Sequence, residues 1–377
     1  MKHYKKMMLL IYGALLLICI GIVWLLGALN RQGNTGNNRE STIQEDTSQA
    51  GENQNENGTF GTENGAGLDE TGNGLDESEE YEAEHNTKET EIEEKPYEPP
   101  ILMLASDLHY MSSTTHDDGK AFRSMVEHDD GKLDQYSDEM LDTLVETAIE
   151  NHPTALALTG DITLNGERIN HELLAEKLQK VQDAGIPVLV IPGNHDIRNQ
   201  NAATYFGEKR EEAEYLETGD DFYEIYHRFG YDQSPNRDMA SLSYVYPLDA
   251  KHWLLMMDSC IYDDGNHVEG RISEATLKWM EVHLRVAKEH DIQVIVLAHH
   301  NLLQESRLFT TQCEMENGPE VTALLEAYQV PLYISGHLHV QRIREHVTGP
   351  GLEDVQNGIH EIVLSPYSFP GNQYGML

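Results

Sequence analysis

Val188-Leu189-Val190-Ile191-Pro192-Gly193-Asn194-His195-Asp196 sets a short apolar run directly before an amide, an imidazole and a carboxylate. A run that short, bounded by Pro and Gly, reads as a strand buried on both faces. Polar groups at the carboxyl end of such a strand are where open α/β sheets place their sites. The same arrangement recurs along the chain. Ile101–Ala105 leads into Asp107-Leu108-His109, and Ala155–Leu158 ends at Gly160-Asp161. Val294–Ala298 precedes His299-His300, and Leu332–Ser335 precedes Gly336-His337-Leu338-His339. Between these runs, Tyr136–Asn151, His171–Ala184 and Ser273–His290 carry helical periodicity, while Leu242–Tyr246 and Trp253–Met257 read as further strands. The pattern predicts an α/β fold of two β-sheets packed face to face and flanked by helices, with the strand-end motifs on one edge.

The five motifs supply carboxylates, an amide oxygen and several imidazoles, but no thiolate. That is oxygen and nitrogen chemistry, suited to hydrolytic metals rather than to iron–sulfur clusters or structural zinc. Asp107 and His109 are two apart, so on an extended strand end they point to the same side and grip one ion. His337 and His339 repeat that spacing behind a glycine. Asp161 carries two oxygens and can bridge two cations roughly 3.5–4 Å apart. Gly193-Asn194-His195-Asp196 offers an amide oxygen for metal, an imidazole beyond the metal, and a carboxylate, Asp196, able to orient that imidazole. Asp107-Leu108-His109 alone is a weak signal and Gly193-Asn194-His195-Asp196 a far more specific one; the five motifs in this order predict a centre for two divalent metal ions, Mn, Fe or Zn.

Composition bounds the partners. The chain of 377 residues has 26 Lys+Arg against 65 Asp+Glu, a formal net charge of −39. Such a surface repels polyanions, so no nucleic-acid polymer is expected as a partner. The charge is unevenly spread. Lys2, Lys5 and Lys6 precede an uninterrupted apolar run, Met7–Leu29. About 20 apolar residues suffice to cross a bilayer. The run exceeds the roughly 7–15 residues of a signal-peptide core, so Met1–Leu29 is expected to be an uncleaved anchor with its amino terminus cytoplasmic. Asn30–Pro96 is rich in Gly, Asn, Thr and Glu and cannot bury enough apolar surface to fold; it reads as an acidic tether, with Gly67-Leu-Asp-Glu-Thr71 and Gly74-Leu-Asp-Glu-Ser78 as low-complexity drift within it. Tyr97–Leu377 is the globular domain, expected outside the cell membrane. Cys19 falls inside the apolar run, and Cys260 and Cys313 do not by themselves establish a disulfide. The Asp-Asp-Gly-Lys segments at Asp117 and Asp129 lack the alternating oxygens of a calcium loop and read as turns over the site.

The motif order resembles the calcineurin-like metallophosphoesterase superfamily from about Ile101 to Phe369. Ser106–Tyr110, Gly160–Glu167 and Ile191–Ile197 look most like membrane-anchored or secreted cyclic-nucleotide phosphodiesterases of Gram-positive bacteria. The resemblance implies that Asp107, His109, Asp161 and His339 bind one metal, and that Asp161, Asn194, His299 and His337 bind the other. It makes His195 the acid for the leaving group, and leaves His300 to substrate or to the layer behind the metal. Asp196 and Asp258 are expected to fix loops or histidine tautomers. Members of that superfamily continue into further sheet and often a helical domain, so a closing strand is expected to be missing before Leu377.

Two divalent ions facing two carboxylates and a hydroxide leave a small positive charge, which suits a mono-anionic phosphodiester. Attack by a metal-bound hydroxide, with His195 protonating the leaving oxygen, is the expected chemistry. The alternatives are a phosphomonoesterase or lipid-headgroup phosphodiesterase and, from a different class, a surface binding module with structural metals. The last fits poorly, because structural sites are usually closed by their ligands.

Overall fold

The computed structural model describes residues 97–304, 314–346 and 358–377. The expected anchor and tether, and with them Cys19 and Cys313, lie outside the described residues. Among the described residues no helix is long and apolar enough to cross a membrane. All of them fall within one unit, Glu91–Leu377.

The first half alternates strand and helix: β1 (Leu102–Ala105), α1 (Lys120–His128), α2 (Ser137–Asn151), β2 (Ala155–Thr159), α3 (Arg168–Asp183) and β3 (Val188–Ile191). A hairpin, β4 (Ala203–Phe206) with β5 (Lys209–Glu212), and α4 (Gly219–Tyr226) follow. The second half holds β6 (Asn236–Arg237), β7 (Tyr244–Pro247), β8 (His252–Met257), α5 (Glu274–Glu289), β9 (Gln293–Ala298), α6 (Gly318–Ala327) and β10 (Leu332–Ser335). It ends with β11 (Arg342–His346), β12 (Ile359–Val363) and β13 (Gly375–Met376).

Two larger sheets result, ordered β13-β1-β2-β3 and β11-β12-β10-β9-β8-β7-β6. β1, β2 and β3 run parallel, as do β8, β9, β10 and β12. β13 pairs antiparallel with β1, giving the first sheet a fourth strand that the sequence reading did not anticipate.

The two-residue alternation of a strand decides how the layers pack. In β8, Leu254 and Met256 join a core shared with Leu102, Leu156 and Val190 of the first sheet, whereas Leu255 and Met257 join a second core with Leu277, Met280 and Leu284 of α5. β9 divides in the same way, Leu297 inward and Val296 outward. The outer side of the first sheet is covered by Leu141, Leu144 and Val145 of α2 and Leu174 and Leu178 of α3. The architecture is therefore helices, sheet, sheet, helices, as the two-sheet reading predicts. Each buried aliphatic side chain contributes about 1.5–3 kcal/mol to it. Crossovers through α2, α3, α5 and α6 keep the strands of each set parallel and leave the carboxyl ends of β1, β2, β3, β9 and β10 on a common edge.

Candidate metal centre

The loops after those five strands bring the predicted ligands together. The first group is Asp107, His109, Asp161 and His339, the second His299, His300 and His337; within each, the donor atoms lie within 4.8 Å of one another. Asp161 joins the groups, because its Oδ2 lies 3.8 Å from His109 Nε2 and 3.3 Å from His299 Nε2. His339 Nε2 is 3.0 Å from His109 Nε2 and 3.4 Å from Asp107 Oδ1. Asn194 Oδ1 is 3.1 Å from His299 Nε2. Asp107, Asp161 and His299 are fully buried.

The sequence reading explained the paired ligands by the pleat of an extended strand, and the structure replaces that explanation. Asp107, His109, Asp161, His337 and His339 have φ of 52°, 44°, 47°, 70° and 54°, so five of the eleven left-handed non-glycine residues described are candidate ligands. That conformation costs an L-residue roughly 1–2 kcal/mol. Neighbouring loops hold it in place: the Asp107 amide donates to the Gly160 carbonyl at 3.1 Å, and the His109 amide to that of Asp161 at 2.9 Å. The close approach needs bare backbone at two glycines. A Cβ on Gly193 would overlap the amide and Oδ1 of Asp161, and one on Gly336 would overlap Ser106 Oγ.

Electrostatics show a site built for positive charge. Burial alone would raise the Asp161 carboxyl, but the imidazoles of His299 and His195 outweigh it and hold the group well below the usual carboxylate range. Burial disfavours charge on His299, yet the Asp161 carboxylate lifts the imidazole to about 9. His109 is pushed well down, chiefly by burial. The Nε2 atoms of His109, His299 and His339, converging on the buried carboxylates of Asp107 and Asp161, match the nitrogen and oxygen donor set of hydrolytic metal pairs. The residues present fit two divalent cations.

His195 stands beside this cluster. Its amide donates to Asp161 Oδ1 at 2.8 Å, and its ring meets that of His109 edge-on with centroids 4.8 Å apart. Nδ1 lies 2.6 Å from the Leu164 carbonyl. A carbonyl only accepts, so Nδ1 carries the hydrogen and the neutral ring's lone pair is on Nε2.

The Leu164 carbonyl thus does what the sequence assigned to Asp196. The Asp196 carboxylate is spent elsewhere, accepting the amides of Gly193 at 2.8 Å, Ile162 at 3.1 Å and Thr163 at 2.9 Å, and the Thr163 hydroxyl at 2.9 Å. It staples the loop after β2 to the loop after β3, so of the two roles expected of it Asp196 fills the loop-fixing one and acts as a positioning residue, not as the partner of the His195 ring. Asp258 likewise fixes loops, accepting from Leu242 N at 3.1 Å, Cys260 N at 3.0 Å and Tyr262 OH at 2.8 Å.

His300 belongs to the second group by distance, but both of its ring nitrogens are engaged. Nε2 donates to the Val268 carbonyl at 3.1 Å, which leaves Nδ1 to accept from Ser259 Oγ at 2.8 Å. A ligand needs a free lone pair, so His300 supports the site rather than binding metal. Asn266, which the sequence reading missed, donates to the carbonyls of Asn194 at 2.6 Å and Ile197 at 2.9 Å, holding the Gly-Asn-His-Asp loop from outside.

The calcineurin-like phosphoesterase family profile matches residues 102–341, a span containing every ligand from Asp107 to His339. The chain belongs to this family. Enzymes of the family use two divalent metals and hydrolyse phosphoric esters. A Psychrobacter arcticus protein described as a probable cyclic nucleotide phosphodiesterase is 23% identical over 249 residues, covering 65% of this chain and 75% of that one. The crystal structure of a dimetal phosphatase from Danio rerio covers 72% of this chain and 89% of its own, with a TM-score of 0.51 and 14% identity, and so shares the fold.

Proposed function

We propose that this phosphoesterase hydrolyses phosphodiesters, cyclic nucleotides among them, on the outer side of a membrane to which its first residues anchor it. The observation that carries the reading is Asp161, whose Oδ2 lies between the two ligand groups while its Oδ1 holds the amide of His195. Asp107, His109, Asp161 and His339 would hold one cation, and Asp161, Asn194, His299 and His337 the other. Two divalent ions there supply polarisation of the phosphoryl oxygens and ionisation of water near neutral pH.

The remaining work falls to the chain itself. Asp107 and Asp161, both buried, offset half of the charge that two divalent ions would bring, and with a hydroxide nucleophile the balance is a small positive charge, better matched to a mono-anionic diester than to a dianionic monoester. The Leu164 carbonyl fixes the His195 ring, so that Nε2 in its protonated form can deliver a proton to the departing ribose oxygen. The similarity to a probable cyclic nucleotide phosphodiesterase supports the same substrate class.

Location rests on Lys2, Lys5 and Lys6 ahead of the Met7–Leu29 run, which favour a cytoplasmic amino terminus. The acidic residues 30–96 would hold the Tyr97–Leu377 domain clear of the surface. The test of substrate is to assay the full-length protein, loaded with Mn, Zn or Fe, against cyclic nucleotides, monoesters and lipid diesters. Preference for the cyclic diesters is expected, and a monoester preference overturns the reading. Protease added to intact cells should remove the domain; complete protection reverses the topology.

A further inference from the structure

The second sheet contains a fully buried acid that no ligand motif includes. Glu361 lies on β12, beside Tyr333 of β10 in the parallel register, with none of its surface exposed. Its Oε1 accepts the Leu302 amide at 2.8 Å and the Ser335 hydroxyl at 2.7 Å, and its Oε2 accepts the Leu303 amide at 2.8 Å. These three partners are donors, which suits an ionised carboxylate. Leu302 and Leu303 follow His299 in the loop after β9, and Ser335 is the last residue of β10, before Gly336 and His337.

The link continues past the carboxylate. Ser335 Oγ accepts from Asn301 Nδ2 at 2.9 Å, and the same amide group donates to the Gly336 carbonyl at 3.1 Å. The Gly336 amide donates to the His299 carbonyl at 3.0 Å, and the Tyr333 hydroxyl to the His300 carbonyl at 2.9 Å. The two loops bearing His299 and His337 are therefore tied to each other, with Glu361 behind both. Burying a carboxylate in a sheet is costly unless its oxygens are matched by donors. An apolar residue there would carry no such cost, but would leave two loop amides and a hydroxyl unpaired.

We propose that Glu361 is a positioning residue for the metal site formed around His299 and His337, acting by fixing the two histidine loops at the separation the cation requires. This rests on the dimetal reading above. Glu361→Gln is nearly isosteric, yet its NH2 group must face one of the three donors. The lost contact and the donor–donor conflict loosen one loop. Ligand-supporting groups of this kind change metal affinity by about 10–100-fold.

The test compares full-length wild type, Glu361→Gln and Ser335→Ala. Metal content is measured by elemental analysis after dialysis against graded chelator, fold by near-ultraviolet circular dichroism, and kcat and KM as functions of Mn2+ concentration. Wild type should retain two metals. Glu361→Gln should keep its fold, release one of them at about 10–100-fold lower chelator strength, and regain kcat at saturating Mn2+ with KM little changed. Ser335→Ala leaves both amide contacts to Glu361 but cuts the link to the β10 loop, so it should shift metal affinity in the same direction; it decides the matter if Glu361→Gln does not fold. Unchanged metal retention in the folded variants, or a loss of kcat that saturating Mn2+ does not restore, overturns the role of Glu361. A wild type that fails to hold two metals would instead overturn the dimetal reading.

Discussion

The His195 amide donates to Asp161 Oδ1 at 2.8 Å, so the histidine assigned to proton delivery hangs from the carboxylate assigned to both cations. Asp161→Asn should therefore disturb two functions at once. An amide at this position can still present one oxygen, but it loses the charge that holds two cations together. Occupancy at both sites is expected to fall, with activity down at least ~10²-fold. Elemental analysis of the purified variant checks it. Retention of two metals with full activity would remove Asp161 from the bridging position.

The parts of this centre that were legible in the sequence share one cause. Gly193-Asn194-His195-Asp196 and its four companions sit at strand ends, and parallel strands flanked by helices bring such ends together whatever the loops do between them. Backbone-borne contributions were not legible. A two-residue spacing between Asp107 and His109 fits an extended segment as well as the left-handed one observed. The Leu164 carbonyl that orients His195 has no side-chain signature at all, and Asn266 meets Asn194 across 72 residues of chain. Glu361 did leave a trace: in Ile359-His360-Glu361-Ile362-Val363 it shares the buried parity of Ile359 and Val363, where an acid has no place without a task.

Gly336→Ala tests the close approach of the loops. The added Cβ would overlap Ser106 Oγ beside Asp107, and overpacking of this sort costs about 1–3 kcal/mol. Asp107 is also the carboxylate that receives the His337 amide, at 3.1 Å. Loss of metal from the Asp107 side is expected, with the melting temperature lowered by only a few degrees. Elemental analysis and a thermal melt check it, and full metal retention would show that the loops have room to spare.

His171 predicts an acid limb of stability. Burial pushes its pKa down to about 3, and the ring packs neutral between Tyr226 OH at 3.0 Å and the Asp196 carbonyl at 3.0 Å. An unfolded histidine binds its proton near pH 6.5, so between about 6.5 and 3 the unfolded state holds more protons and stability falls as pH falls. From pH 7 to pH 5 this single group should remove about 2 kcal/mol. His171→Gln lacks the titration and should lose correspondingly less over that interval. Urea midpoints of both proteins at the two pH values decide it; parallel losses would show that His171 takes up its proton without unfolding.

His195→Ala separates catalysis from metal binding. The side chain is absent from both ligand groups, and its place is fixed by the Leu164 carbonyl and by its own amide on Asp161. Alanine keeps that amide, so both metals should remain. The rate should fall by about 10²–10⁴-fold, the range for one general acid. The size of the loss should depend on the leaving group. A ribose alkoxide needs a proton to depart, whereas a nitrophenolate leaves readily without one, so the defect should be large for cyclic nucleotides and small for nitrophenyl diesters. Equal losses on both substrates, with metals intact, would mean that His195 positions the phosphate and donates no proton.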